Sequence, residues 1–203
     1  MTKFPWDFQP DLEAGRLQLI AKVLRDTRKG ALARHDTVAG DTPWGFGCTV
    51  YDRSTQMLMR AGEAMWQDWF RVVKPPLEFV FAIGSVPVRY YSGDPREPGG
   101  KHLKLCEPEM YQLDLLHRND VPALIWRVVV DPDITGNVSR VVVIGSTSTG
   151  TIECFYEIPD DGVVSFLPPL DPTKVSGAGV QLPPATVSLR SDRTKKDDDK
   201  GNI

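Results

Sequence analysis

The stretch Leu77-Glu78-Phe79-Val80-Phe81-Ala82-Ile83-Gly84-Ser85-Val86-Pro87-Val88-Arg89-Tyr90-Tyr91 decides the fold. Leu77, Phe79, Phe81 and Ile83 recur at every second position, the period of an extended strand with one face turned to a core. Gly84-Ser85 interrupts the alternation and Val86 to Tyr91 resumes it. Glycine at the first position of a two-residue turn permits the positive φ that tight hairpins require, so the stretch reads as a β-hairpin. Its register sets Phe79 opposite Tyr90 and Phe81 opposite Val88, with Glu78 diagonal to Arg89 on the other side of the sheet. Pro87 has no amide hydrogen to donate, so the strand edge is expected to be unpaired there.

Upstream of the hairpin the rhythm is helical. From Leu12 to Arg34, the side chains of Leu12, Leu19, Ile20, Val23, Leu24 and Ala31 share one side, and Gln18, Lys22, Arg25 and Lys29 gather opposite. Asp11 is the expected cap of this helix, because its carboxylate can accept a free amide hydrogen. A second helix is expected from Pro43 to Met65, with Thr42 as cap and Pro43 at the first helical position, where a missing amide hydrogen costs nothing. Phe46, Val50, Tyr51, Met57, Leu58, Ala61 and Met65 fall on one face of it. The change to period two comes near Trp69.

Downstream, Ser92 to Gly100 is rich in Gly, Pro, Asp and Glu and reads as an irregular loop, followed by a short helix from about Pro108 to His117. Strands are expected at Ala123 to Asp131, Ser139 to Gly145 and Thr151 to Ile158, and their short turn-forming connections make them an antiparallel meander. The fold class is therefore α+β. Two N-terminal amphipathic helices cover one face of a mainly antiparallel sheet of about six strands, in a single domain over residues 5–167. Leu77, Phe79, Phe81, Ile83, Val128, Val142 and Ile144 are the core candidates. Residues 168–203 are Pro/Gly-rich and end in a mixed-charge run without apolar periodicity, which predicts a flexible tail.

With 203 residues, 41% hydrophobic and 25% charged, the chain has the composition of a globular domain. A net charge of -3 supplies no global positive field, so attraction to nucleic acid or to an anionic membrane needs a local basic patch. Cys48, Cys106 and Cys154 are too widely spaced for a disulfide framework or a zinc motif. The start of the chain has no signal-peptide pattern and no apolar run is long enough to span a bilayer, so a cytoplasmic location and no membrane partner are expected.

Chemical signatures are sparse. Gly145 to Gly150 carries hydroxyls between glycines but lacks the lysine and following helix of a phosphate-binding loop, so it reads as a hairpin turn. His102 and Cys106 have Lys101 and Lys104 beside them, whose charges disfavour a dication, and neither a metal site nor a cofactor is expected. The absence of local catalytic signatures favours a non-enzymatic binding or regulatory module acting through a protein or nucleic-acid partner. Its candidate binding residues are the basic helix stripe Lys22, Arg25 and Lys29, with Arg28 beside it, and the off-stripe ring of Trp44. The competing class is a metal-dependent phosphodiesterase or nuclease-like hydrolase, with Glu78, Arg89, Asp94 and Glu97 as its catalytic candidates at the end of the hairpin.

Overall fold

Segments of helical period and segments of period two separate along the chain as the packing of each requires. The computed structural model describes residues 3–74, 78–111 and 124–160. Leu77, Ala123, the later part of the helix expected at 108–117 and the tail expected at 168–203 lie outside the described residues. A single turn, α1 (Pro5–Phe8), precedes the two long helices α2 (Ala14–Leu32) and α3 (Pro43–Ala64). The strands are β1 (Phe70–Lys74), β2 (Val80–Ile83), β3 (Val86–Ser92), β4 (Ile125–Pro132), β5 (Val138–Ser146) and β6 (Ile152–Ile158), with the short helix α4 (Gly100–Leu103) between β3 and β4. Residues 107–111 are also helical.

The six strands lie side by side in chain order. Every neighbouring pair is antiparallel except β3 and β4, which run parallel from Val88 opposite Trp126 to Ser92 opposite Val130. The fold is thus α+β with a mainly antiparallel sheet, and β4 to β6 form the expected meander. The hairpin has its expected register: Phe81 pairs with Val88 and Ile83 with Val86, and the rings of Phe79 and Tyr90 lie 6.4 Å apart. Pro87 stands just before the β3–β4 pairing begins. A parallel pair needs a crossover of about a dozen or more residues, which the connection from Ser92 to Ile125 provides.

Register sorts the core into two faces. On one, Phe81, Val88, Tyr90, Val128 and Val143 meet the helices. Phe70 stacks on Phe81 at 5.1 Å, Tyr51 of α3 on Tyr90 at 5.5 Å, and Phe8 of α1 meets Trp126 edge-on at 6.1 Å. Gly62 allows this approach, since a β-carbon there would lie 2.6 Å from the Phe70 ring. On the other face, Tyr91, Val129, Val142 and Ile144 are buried together, with Ile152 and Phe155 packed against them. The described part of the crossover meets this second face at Arg89, Tyr91 and Arg127, and all four residues of β2 and the first six of β4 are buried. Alternation alone gave a cover on one side only.

Two local expectations are corrected. Glu13, not Asp11, occupies the N-cap position of α2, and its side chain makes no capping hydrogen bond. Asp11 instead accepts from both the backbone amide and the hydroxyl of Ser85, each at 2.9 Å. That clamps the hairpin turn, where Gly84 has φ +57°. A β-carbon on Gly84 would collide with the Asp11 carboxylate. The second correction is Met65, which is exposed rather than core, because α3 ends at Ala64 and Met65 has left the helical rotation. Ser54, Thr55 and Gly62 complete the buried face in its place.

Asp11→Ala should destabilise the fold by about 1 kcal/mol, the worth of a partly exposed charge-assisted hydrogen bond. The amide of Ser85 is the main cause holding the Asp11 carboxyl below its usual 3.8. A depressed carboxyl pKa stabilises above the unfolded value, and that contribution is lost as pH falls through the folded value. Gly84→Ala should cost more than the roughly 1–2 kcal/mol of a left-handed alanine, because the new methyl also displaces Asp11. The double variant should then lose less than the sum of the singles in urea unfolding. Strict additivity would mean that the clamp is not coupled to the turn.

Candidate functional site

Strands β3 and β4 are parallel, so their C-terminal ends, Ser92 and Pro132, open on the same side of the sheet. The crevice outside the carboxyl ends of parallel strands is a common place for a ligand, because the chain leaves in different directions there. A cleft of about 760 Å³ lies at this point. Arg28 of α2, Phe46 and Tyr51 of α3, Arg89 and Tyr91 of β3, Lys101 and His102 of α4, and Asp133 and Gly136 of the β4–β5 turn line it. The N-terminal end of the 22-residue helix α3 also borders it through Pro43, adding the positive pole of a long helix.

Arg28 is the unusual member, with only 7% of its surface exposed. Its Nε donates to Gly136 O at 2.7 Å and its Nη1 to Ser92 Oγ at 3.2 Å. Its guanidinium carbon lies 5.2 Å from the centre of the Phe46 ring. All of these partners are neutral, and Arg28 makes no ion pair among the described residues. Burial is the larger influence on its pKa and lowers it, while the field of Asp133 acts the other way. An arginine nevertheless keeps its charge at any ordinary pH. One oxygen of the Asp133 carboxylate is engaged within its own loop, Oδ1 accepting from Thr135 N, Thr135 Oγ1 and Asn137 N at 2.8, 2.6 and 3.0 Å.

The opposite wall is set by a second buried arginine. Arg127 is 1% exposed and Glu109 3%. Their guanidinium and carboxylate meet side by side, Nη1 with Oε1 and Nη2 with Oε2. Arg127 also donates through Nε to the His102 carbonyl at 2.8 Å and through Nη1 to that of Trp126, also at 2.8 Å. His102 is thereby fixed by its backbone, and its ring stacks on Tyr91 with centroids 4.0 Å apart. Burial, followed by the charges of Lys101, Arg89 and Arg127, lowers the pKa of His102. The Tyr91 hydroxyl is buried with no hydrogen-bond partner among the described residues, and burial raises its pKa to about 12.

The sequence candidates are dispersed. Glu78 pairs with Lys74 at 2.6 Å. Arg89 lines the cleft and donates to Lys104 O at 3.1 Å. Asp94 accepts from the Arg96 amide at 2.8 Å in an exposed turn, and Glu97 is exposed. No group of three or more His, Cys, Asp or Glu among the described residues could hold a metal ion. In the basic stripe, Lys22 pairs with Asp26 at 3.3 Å, Arg25 donates to Ile158 O at 2.7 Å, and Lys29 is exposed. Trp44 is 79% exposed, next to Pro43 in the cleft wall. The three cysteines are unpaired, and burial raises the thiols of Cys106 and Cys154 to about 11. Among the described residues no helix is long and apolar enough to cross a membrane.

Sequence reasoning passed over Arg127 and Glu109 and set Arg28 only beside the basic stripe of its helix, without its burial. For the two arginines a signal existed: Arg28 stands four residues after Leu24 on the apolar side of its helix, and Arg127 interrupts a run of six otherwise uncharged residues, Ile125 to Val130. A cation in such a place needs a partner from elsewhere in the fold. In comparisons with protein families, curated proteins and solved structures, nothing matches the chain.

Glu109→Ala should cost about 3–5 kcal/mol in urea unfolding, because it leaves a buried guanidinium uncompensated. Arg127→Met combined with Glu109→Leu should recover most of that loss; no recovery would mean that the ion pair itself supplies net stability. His102 should titrate below its usual 6.5. Between the two values the unfolded chain takes up a proton that the folded chain does not, so this group lowers stability as the medium is acidified. A ring titration followed by NMR checks the direction.

Proposed function

We propose that the chain is a non-enzymatic binding or regulatory module whose partner presents phosphate groups to the cleft at the ends of β3 and β4. Arg28 is the observation that carries this reading. A nearly buried guanidinium in a cleft wall, with neutral partners alone, retains a desolvation cost that an anion from outside would offset. Arg89, Lys101 and the positive pole of α3 add charge of the same sign, against one aspartate, one oxygen of which is already engaged.

Between a protein and a nucleic-acid partner, the chemistry favours nucleic acid. Its backbone repeats a compact oxyanion suited to a fixed guanidinium edge, and phosphate contacts supply most sequence-independent affinity. The overall charge of -3 supplies no global attraction, so a local basic site such as this cleft must supply it. The metal-dependent hydrolase has no ligand group among the described residues to support it.

Anisotropy of a labelled oligonucleotide of about ten residues, titrated between about 50 and 200 mM salt, tests the reading. Affinity should fall steeply with salt, and Lys101→Ala should reduce the logarithmic slope by about 1. The pair Lys22→Ala and Lys29→Ala, outside the cleft, should leave the slope unchanged. Absence of binding at the low-salt limit, or a slope insensitive to Lys101→Ala, would overturn the assignment.

A further inference from the structure

Granting that phosphate-binding reading, we infer that the unit recognised is an unpaired nucleotide: its phosphate seats against Arg28 while its base stacks on the aromatic rim, with Trp44 as the outer platform. The first reason is depth. Arg28 is held among Phe46, Ser92 and Gly136 in the cleft wall and exposes 7% of its surface. A phosphate reaches it only by entering the cleft. A duplex holds both backbones on a stiff convex cylinder and cannot insert one of them into a recess of this size. An unpaired strand or a free nucleotide bends or enters singly, and about 760 Å³ falls within the range of sites that enclose small ligands.

The second reason is the character of the walls. Phe46, Tyr51 and the His102–Tyr91 stack place planar rings beside the cations. Ile134 adds exposed apolar surface in the lining, and Trp44, 79% exposed, directly follows the lining residue Pro43 in the chain. Site-bound simple anions need cations and hydrogen-bond donors; they have no use for rings. Cationic groups interleaved with aromatic faces are the pattern that holds a backbone and its bases together, because every base offers a π-face whatever its sequence.

The test compares four probes on the full chain: a labelled single strand, the same sequence as a blunt duplex, a mononucleotide and inorganic phosphate. The single strand should bind at least about tenfold more tightly than the duplex, and Trp44→Ala should weaken strand binding by about tenfold, the loss expected from one stacked base. Trp44 is exposed, so its replacement leaves the core untouched. The salt slope should stay as it was, because no charge is removed. Competition by the mononucleotide at a concentration where inorganic phosphate is ineffective supports the inference and assigns the site to free nucleotides as well. Binding of the strand alone supports it and assigns the site to the polymer. Equal affinity for duplex and strand, with Lys101→Ala still weakening both, would overturn the unpaired-nucleotide inference and leave the anionic cleft standing. Equal competition by phosphate and mononucleotide, or indifference to Trp44→Ala, would overturn it in the same way. Failure of all four probes to bind would overturn both.

Discussion

The buried pair of Arg127 and Glu109 is the constraint around which this structure is arranged. A guanidinium in the middle of a central strand, 1% exposed, has no route to water. Its charge must be met from the chain that crosses that face of the sheet, and it is met there by the Glu109 carboxylate and the His102 carbonyl. Both partners belong to the connection between β3 and β4. The pairing therefore holds the crossover against the sheet, and a crossover held there lets β4 run parallel to β3. Without it, three antiparallel hairpins in series would be the simpler arrangement for strands laid down in chain order.

The helical layer is fastened by a different use of charge. Asp11, just before α2, grips the β2–β3 turn through Ser85. Arg25 reaches the last residue of β6 through Ile158 O, and Arg28 holds the β4–β5 turn through Gly136 O. Each anchor binds a place where the ladder ends and backbone groups lack strand partners. The apolar stripe of α2 fixes which side faces the sheet, and these polar contacts fix where along the sheet it rests. The cleft lies where one of these anchors, Arg28, has fewer compensating charges than its burial demands.

What the sequence could reveal follows from how far each determinant reaches. The hairpin at 77–91 and the Thr42-Pro43 helix start depend on neighbours a few residues away, and both were legible. The parallel pairing of β3 with β4 was not, because period-two alternation is the same in either direction and the deciding contact joins Arg127 to Glu109. Asp11 was misread for a related reason: a carboxylate before an apolar periodic run serves equally as a helix cap or as a clamp on a turn 74 positions later. At the candidate site, Arg89 and Trp44 drew attention by local contrast. Arg28 was set beside the stripe of Lys22, Arg25 and Lys29, and its burial depends on the turn carrying Gly136, which is 108 positions away.

Several buried polar groups of this fold are well matched by their surroundings. Arg127 has its carboxylate, Tyr90 donates to the Tyr51 carbonyl, and the Cys106 amide donates to Glu109. Arg28 has only neutral partners, and among the described residues the hydroxyls of Ser54, Tyr91 and Ser146 and the indole nitrogen of Trp126 are buried without a partner. Of these residues, Arg28 and Tyr91 line the cleft. A surface ion pair would have been an easy remedy for Arg28, since Asp133 is near enough for its field to act on the guanidinium. Yet that carboxylate is turned into its own loop, towards Thr135 and Asn137. The loop thus keeps a negative charge close enough for its field to act on the guanidinium without forming an ion pair with it, and the cation is held by the Gly136 carbonyl and the Ser92 hydroxyl instead.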